Sequence, residues 1–179
     1  INAVDENSST GTLTGIIASA IDADAENNTV TYSLDDTANE RFSIDSVTGS
    51  VSVGNGFLLL DRENAATHQI VVRATSSDGS QQTQNYEIAI NDVNEFTTTN
   101  TLDVDPAINQ TNENSAIGTT AGIIANAFDA DATQSTIIYS LDNDDSGRFS
   151  IDPTTGVVSV ADGIDRESLG ATSTIVVRS

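Results

Sequence analysis

Apolar and polar residues alternate in several short stretches of the chain. In "TVTYSLDD" the apolar positions are Val30, Tyr32 and Leu34, and in "RFSID" they are Phe42 and Ile44. A period of two places such residues on one face of an extended strand. Runs typical of turns, such as "ENN", "SVTG" and "SSDGS", separate these stretches. The pattern therefore predicts an all-β protein built from short strands.

Seven such stretches occur in the first half of the chain. They are the segment near residues 1–4 and then "TLTGIIASA", "TVTYSLDD", "RFSID", "GSVSVG", "HQIVVRAT" and "TQNYEIAIND". Seven short strands separated by regular turns favour a Greek-key β-sandwich, in which the apolar faces of two sheets pack together. We predict that Phe42, Tyr32 and the inward-facing Ile and Val positions form the core.

The second half of the chain repeats the first. "ENSSTGTLTGIIASAIDAD" begins at Glu6 and "ENSAIGTTAGIIANAFDAD" begins at Glu113, an offset of 107 residues (113 − 6). "RFSIDSVTGSVSV" at Arg41 and "RFSIDPTTGVVSV" at Arg148 have the same offset. A repeat of about a hundred residues is the size of a complete domain. We therefore predict two tandem seven-stranded sandwiches, residues 1–96 and residues 97–179.

The second copy contains only six of the seven predicted strands. It ends at Ser179, and nothing in it corresponds to "SSDGSQQTQNYEIAINDVN" of the first copy. A sandwich without its last strand exposes a sheet edge and part of its core. Neither end of the sequence resembles a natural terminus, so we expect a fragment whose second domain is completed by further residues or stabilised by a neighbour.

The charge balance narrows the classes of partner. The chain carries 27 acidic and 6 basic residues, a formal net charge of −21, and every basic residue is arginine. Nucleic acids and anionic membranes are bound through basic patches, so we expect neither as a partner. No run of 18 apolar residues occurs, and we expect no membrane insertion by this sequence. This composition favours cations as charged partners, or simple solubility in salt water.

The available side chains also restrict the chemistry. Cysteine is absent and His68 is the only histidine, so a thiolate or imidazole metal site is not expected. Asp, Glu and Asn supply oxygen ligands, which suit Ca²⁺. No nucleophile–base pairing and no glycine-rich phosphate loop is visible, and we predict that the protein is not an enzyme. "DNDDSG" at Asp142 is similar to the start of an EF-hand loop, but Pro153 stands where that loop needs Glu, so we expect a turn.

Six short motifs, taken in chain order, resemble those of the cadherin repeat. They are "ENSSTGT", "DAD", "YSL", "RFSIDSVTG", "LDRE" and "DVNE", and five of them recur in closely similar form in the second copy. The resemblance covers nearly the whole chain. Together with the composition, it indicates cadherin-like repeats of a large secreted bacterial adhesin, located outside the cell or on its surface.

The resemblance implies calcium binding at the joint between successive domains, where acids of both domains share the ions. Two Ca²⁺ ions are expected at the joint, with a third left open. Eight residues match the family's ligand motifs and are expected to converge there: Glu6, Asp61, Glu63, Asp92, Asn94, Glu95, Asp129 and Asp131. Two carboxylates about 4 Å apart repel by roughly 4 kcal/mol at an effective dielectric constant near 20. Divalent cations would remove most of the repulsion in such a cluster.

The motifs also depart from the family pattern. In "DVNEF", Glu95 stands where the family has Asp and Phe96 stands where it has Asn, although a backbone carbonyl can serve at the second position. Ser76 replaces the acid of the family's "AxD" motif, which leaves the third ion open. We interpret Arg62, between two of the acids, as structural. Five further acids are expected to serve joints with domains before and after this pair: Asp22, Asp24, Glu113, Asp165 and Glu167.

Two functions fit the sequence. The first is a rigid stalk or adhesion module whose partners are neighbouring repeats of the same chain, with a cell-surface glycan or a homophilic contact as open alternatives. The second is a carbohydrate-binding module of a secreted polysaccharide-handling protein. Sugar sites usually present exposed aromatic platforms, whereas this chain has no Trp and most of its three Tyr and five Phe lie at predicted core positions, although Phe57 and Phe96 lie outside that core. The composition therefore favours the first function.

Overall fold

The computed structural model describes residues 2–24, 26, 28–56, 59–131 and 133–179. The chain divides into two compact units, Ile1–Asn94 and Glu95–Ser179, and the domain bounds 1–96 and 97–179 stay a prediction. Ile1 of the first predicted strand and the aromatic residue Phe57 fall outside the described residues. In the described part of the chain, no helix has the length and apolar character needed to cross a membrane.

Unit 1 contains seven strands among its described residues, as the alternating pattern predicts. Their bounds are β1 Ala3–Asp5, β2 Leu13–Ile17, β3 Val30–Asp36, β4 Phe42–Ile44, β5 Ser50–Val53, β6 Thr67–Ser76 and β7 Gln81–Asn91. One sheet has the strand order β1-β7-β6-β3 and the other has the order β2-β5-β4. β1 runs parallel to β7, and the other pairs are antiparallel. Two sheets connected in this way form the predicted Greek-key sandwich.

The core of unit 1 lies between its two sheets. Phe42, Val51, Ile70 and Ile88 are almost completely buried and come from β4, β5, β6 and β7, two strands of each sheet. Tyr32 is half-buried and packs against them. These are positions that the period-two pattern assigns to the inward face. Burying one large apolar side chain contributes about 1.5–3 kcal/mol.

The parallel pairing of β1 with β7 brings the ends of these two strands together. Its register runs from Ala3 opposite Ala89 to Asp5 opposite Asn91. The backbone N–H of Glu6 extends the ladder by donating to the carbonyl oxygen of Asn91 at 3.0 Å. The chain therefore leaves both strands at the same end of the sandwich.

Unit 2 contains six strands and one short helix among its described residues. Their bounds are β8 Leu102–Asp103, β9 Thr120–Asn126, β10 Ser140–Asn143, β11 Phe149–Ile151, β12 Val157–Val160, α1 Arg166–Leu169 and β13 Val176–Arg178. One sheet has the order β11-β12-β9-β8, and the other consists of β10 and β13 alone. The described residues of this unit contain no equivalent of β7, as predicted from the repeat.

Two features of unit 2 differ from the sequence-based expectation. Residues 110–112, which correspond to Ala3–Asp5, form no strand, and β8 lies upstream and pairs with β9. The reason is that β1 depends on β7 for its ladder, and a backbone segment without a partner strand has no hydrogen bonds to join. The second feature is the single helical turn α1. Asp165 caps it by accepting hydrogen bonds from two backbone N–H groups of its first turn.

The core of unit 2 is less enclosed than that of unit 1. Val158, on β12, is completely buried. Phe149 and Ile175 are only half-buried, although their repeat counterparts Phe42 and Ile70 are at most 2% exposed. The two-stranded sheet covers less of this core because the described residues of the unit contain no strand beside β13 that corresponds to β7.

The turn between β4 and β5 recurs between β11 and β12. The Asp45 carboxylate accepts hydrogen bonds from the backbone N–H groups two and three residues further on, and Asp152 does the same. The backbone N–H of Thr48 holds the pKa of Asp45 below its ordinary value, and that of Thr155 does so for Asp152. The backbone hydrogen bonds to the aspartate carboxylate of this turn are therefore the same in both units.

Candidate metal centre

Three of the predicted ligands form one cluster in unit 1. Side-chain oxygen atoms of Glu6, Asp61 and Glu63 all lie within 4.8 Å of one another. Glu6 follows β1 directly, and the other two lie in the turn before β6. Leu60, the residue before that turn, is buried in the core, and its carbonyl oxygen accepts a hydrogen bond from the backbone N–H of Asn7 at 3.1 Å. Leu60 thus anchors the acidic turn beside the end of β1.

Glu6 is the buried member of this cluster. It is 3% exposed, whereas Asp61 and Glu63 are exposed. Its Oε2 accepts a hydrogen bond from the backbone N–H of Arg62 at 2.6 Å, and its Oε1 accepts one from that of Val93 at 2.8 Å. Burial of a carboxylate is costly unless such donors compensate for lost water. Two backbone amides from separate segments therefore hold Glu6 in place.

The predicted ligands of the linker follow β7. Asp92 is half-buried and precedes Val93, whose backbone N–H reaches Glu6, and Asn94 is exposed. The start of the linker therefore lies beside the acid cluster of unit 1.

Asp131 is the most enclosed of the predicted ligands in unit 2. It is 4% exposed, and its Oδ1 accepts hydrogen bonds from the backbone N–H groups of Glu95 at 3.1 Å and Phe96 at 3.3 Å. Its Oδ2 is buried, and no donor in the described part of the chain reaches it. Asp129 is half-buried, and its Oδ1 accepts the backbone N–H of Asp131 at 3.3 Å. A buried carboxylate oxygen without a donor fits a hard cation such as Ca²⁺.

A second cluster in unit 1 contains an acid that the sequence analysis did not select. Asp22 and Asp24 have oxygen atoms within 4.8 Å of an oxygen of Asp78. The hydroxyl of Ser76, which is buried, donates to Asp22. Hydrogen bonds from Ser80 hold the pKa of Asp78 below its ordinary value. The family motif places its acid at position 76, whereas the carboxylate of this chain stands two residues later, in a run that the sequence indicates only as a turn.

A third cluster occurs in unit 2 and repeats the first. Oxygen atoms of Glu113, Asp165 and Glu167 lie within 4.8 Å of one another. The backbone N–H of Asn114 donates to the carbonyl oxygen of Ile164 at 2.8 Å, which matches the backbone contact in unit 1. All three acids of this cluster are exposed. The repeat therefore reproduces the grouping of the acids but not the burial of the first one.

Two other features of the sequence have structural roles. The first two residues of "DNDDSG" end β10, and the remaining four form the predicted turn before β11, where Asp145 pairs with Arg148 at 3.3 Å. His68 is half-buried and its ring lies edge-on to that of Phe42, with ring centroids 6.1 Å apart. Burial and the nearby charge of Arg41 lower the pKa of His68. Neither feature belongs to an acid cluster in the described part of the chain.

Comparisons with known proteins identify the class of domain. A family model described as "Cadherin domain" matches residues 2–91 and 109–178. The chain therefore belongs to the cadherin domain family. Human Protocadherin Fat 1 is 32% identical over 151 residues, which cover 83% of this chain and 3% of that protein. The chain thus spans only a small part of the curated relatives that it matches.

Solved structures share the fold. Mouse Cadherin-23 EC22-24 matches with a TM-score of 0.72 and 30% identity, covering 94% of this chain and 52% of the other. A structure described as the Protocadherin gammaB7 EC3-6 cis-dimer matches with a TM-score of 0.74 and 21% identity, covering 91% of this chain and 41% of the other. The second likeness concerns the fold alone. The predicted all-β architecture of two cadherin-like sandwiches is confirmed.

The family also establishes the broad function. Cadherin domains are extracellular modules of adhesion proteins rather than enzymes, so the chain is an extracellular cadherin repeat pair. These findings do not favour the carbohydrate-binding alternative. The relatives described above are animal proteins, and the bacterial source stays a prediction.

Proposed function

We propose that this chain is a calcium-stiffened repeat pair, which serves as a rigid stalk or adhesion module of a larger cell-surface protein. The observation that carries the proposal is the cluster of Glu6, Asp61 and Glu63, whose oxygen atoms lie within 4.8 Å of one another. Carboxylates at about 4 Å repel by roughly 4 kcal/mol per pair at an effective dielectric constant near 20. A divalent cation would replace this repulsion with attraction.

The donor set suits calcium. Ca²⁺ takes 6–8 oxygen ligands from carboxylates, carbonyl groups and water. The buried Oδ2 of Asp131 supports a cation at the start of unit 2 as well, because no donor in the described residues satisfies it. We propose two shared ions at the joint, and a third remains open. The proposed ligands are Glu6, Asp61, Glu63, Asp92, Asn94, Glu95, Asp129 and Asp131.

The two remaining clusters are proposed as parts of further calcium sites. Each contains three acids whose oxygen atoms approach within 4.8 Å. Three carboxylates provide fewer oxygens than Ca²⁺ requires, so adjoining repeats and water would complete the coordination. These clusters consist of Asp22, Asp24 and Asp78 in unit 1, and of Glu113, Asp165 and Glu167 in unit 2.

Calcium would act here by binding alone, without a reaction. An ion held by acids of successive repeats removes bending freedom, since bending would lengthen its bonds to one set of ligands. The proposed partners are neighbouring repeats of the same chain. A homophilic contact is a further proposal; the Protocadherin gammaB7 structure is described as a cis-dimer, but its likeness to this chain concerns the fold alone. The bacterial-adhesin assignment rests on composition, and a glycan partner has no support from the comparisons.

Calorimetric melting in millimolar Ca²⁺ and in chelator tests this proposal. Binding at about 100 times the dissociation constant stabilises by about 2.7 kcal/mol, which for domains of this size raises the melting temperature on the order of 10 °C. Asp131→Asn should reduce this increase, whereas Asp142→Asn, at an exposed acid outside the clusters, should leave it intact. A melting temperature that does not respond to Ca²⁺ would contradict the proposal.

A further inference from the structure

The carboxylate of Glu6 connects three segments of unit 1. Glu6 itself follows β1, its Oε2 accepts the N–H of Arg62 in the acidic turn, and its Oε1 accepts the N–H of Val93 in the linker. The two donors lie 56 and 87 residues away in the sequence. With Glu6 only 3% exposed, few water molecules can replace either donor. One side chain thus joins the acidic turn to the start of the linker.

The repeat provides an internal comparison for this arrangement. Glu113 occupies the same place in the cluster of unit 2, beside Asp165 and Glu167, but it is exposed. In the described residues, no hydrogen bond to its carboxylate is found, and no segment of this unit corresponds to the linker after β7. Grouping of the acids therefore does not require the two amide contacts, whereas burial of the first acid accompanies them.

We propose that Glu6 is a latch, a positioning residue that fixes the linker to the acidic turn before any cation binds. A carboxylate has about four lone-pair positions. Two of them accept the amides, and two remain for a cation, so the latch does not exclude ligation. The consequence for calcium rests on the function proposed above. Ligands that are already ordered lose less conformational entropy on binding, so the latch raises the affinity for Ca²⁺.

The latch assigns a specific role to position 93. Its contribution is the backbone N–H, because that is the group which reaches Glu6. The side chain of Val93 is exposed in part, at 38%. Proline is the one residue that removes the N–H, so Val93→Pro should release the linker, and Val93→Ala retains the donor as its matched control.

The latch is tested first without calcium, by amide hydrogen exchange of the full chain in chelator. Glu6→Gln keeps the shape of the side chain but offers one oxygen instead of two, so at least one amide loses its acceptor. We expect exchange at Arg62 or Val93 to become at least about tenfold faster, in keeping with the strength of hydrogen bonds to charged groups. Glu113→Gln, the matched change in unit 2, should alter exchange around its own cluster by less than about twofold.

A calcium titration of the same variants follows. Val93→Pro should bind Ca²⁺ at least about tenfold more weakly than Val93→Ala, since only the alanine variant keeps the latch closed. Unchanged exchange at both amides in Glu6→Gln would overturn the latch, whatever calcium does. Equal weakening by Val93→Pro and Val93→Ala would also overturn it. If the exchange result is as expected and the unmodified chain does not bind Ca²⁺, the proposal of the latch is supported and the proposed calcium function is contradicted.

Discussion

In unit 1 the side chain of Glu6 is 3% exposed, and in unit 2 its counterpart Glu113 is exposed. The core shows the same contrast, because Ile70 is completely buried and Ile175 is half-buried. Each difference falls at a position that β7 or the linker after it covers in unit 1. The repeated motifs therefore supply side chains at defined places, and a strand distant in the sequence supplies their burial.

In the sheets that contain β2 and β9 the contrast in burial is reversed, because the residue of unit 1 is the more exposed one. Ile17, on β2, is 71% exposed and β2 forms a sheet edge. Its counterpart Ile124 is half-buried, because β8 covers the edge of β9 and the backbone N–H of Val104 donates to the carbonyl oxygen of Ile124 at 3.0 Å. In unit 1, β1 thus covers the edge of β7 and β2 lies at an edge, whereas in unit 2, β8 covers the edge of β9 and β13 lies at an edge.

The turn between β4 and β5 and the turn between β11 and β12 do not differ in the conformation of their glycine. Gly49 and Gly156 have φ values of +70° and +69°. A Cβ atom on them would lie 2.3 Å from the carbonyl oxygen of Ala18 and 2.2 Å from that of Ala125, respectively. Glycine is required at both positions because the backbone has a positive φ and because a Cβ atom would overlap a backbone carbonyl group. The two units agree at this turn because β7 takes no part in it.

The largest expected difference between the units is in the stability lost when the paired core residues Ile70 and Ile175 are truncated. Ile70→Ala should destabilise unit 1 by about 2–5 kcal/mol, the usual cost of truncating a fully buried isoleucine. Ile175→Ala should cost unit 2 about 1 kcal/mol, since its half-buried side chain leaves a smaller cavity. Urea unfolding followed by hydrogen exchange measures each unit separately. Equal losses would show that Ile175 is as well packed as Ile70.

At the paired tyrosines Tyr32 and Tyr139, we expect a smaller difference in the free energy of unfolding. Here unit 2 should lose more stability than unit 1. The hydroxyl of Tyr139 accepts the backbone N–H of Ala127 at 3.1 Å in a buried position, and that of Tyr32 accepts the N–H of Ala20 at 3.0 Å in a partly buried one. Tyr139→Phe leaves a buried amide without an acceptor, at a cost of about 1–3 kcal/mol.

Water can reach the partly buried amide beside Tyr32, so Tyr32→Phe should cost unit 1 less, about 0.5–1 kcal/mol. The same unfolding measurement applies, with the exchange rates of the Ala20 and Ala127 amides as a direct check. A larger loss in unit 1 would mean that the hydroxyl of Tyr32 is the better shielded of the two.

The smallest expected effect is the pH-dependent stability that Asp45 and Asp152 contribute, and it should be the same in both units. Hydrogen bonds from the turn backbone lower the pKa of Asp45 and Asp152 below the ordinary value of 3.8. A carboxyl group whose pKa is lower in the folded state adds stability above its unfolded pKa, and this stability is lost as the pH falls through the folded value. Asp45→Asn and Asp152→Asn should therefore destabilise their units above about pH 4 and converge with the unmodified chain in stronger acid.

Urea midpoints measured across the acidic range test this equality. A pH dependence that differs clearly between Asp45→Asn and Asp152→Asn would show that the turn of one unit depends on its wider surroundings. The pH dependence would then differ between the units even though the backbone hydrogen bonds to Asp45 and Asp152 match.

Much of the candidate site could be predicted from the sequence, and its omissions have a common cause. Glu6, Asp61 and Glu63 were selected by motif, but the burial of Glu6 was not foreseen, since its donors lie 56 and 87 residues away. Asp78 was missed because its approach to Asp22 depends on the pairing of β3 with β6. Both omissions concern contacts between segments that are distant along the chain.

The period-two pattern and the turn residues were sufficient to predict the seven strands of unit 1 and its inward-facing residues, and the recurrence of motifs at a fixed offset predicted the repeat. These features depend on a residue and its near neighbours, which the sequence displays directly. The tertiary structure decided which repeated residues are buried, which acids meet and where a predicted strand does not form, as at residues 110–112. The physical reason is that a buried side chain or a paired backbone group needs a partner, and sheet topology brings that partner from a distant part of the chain.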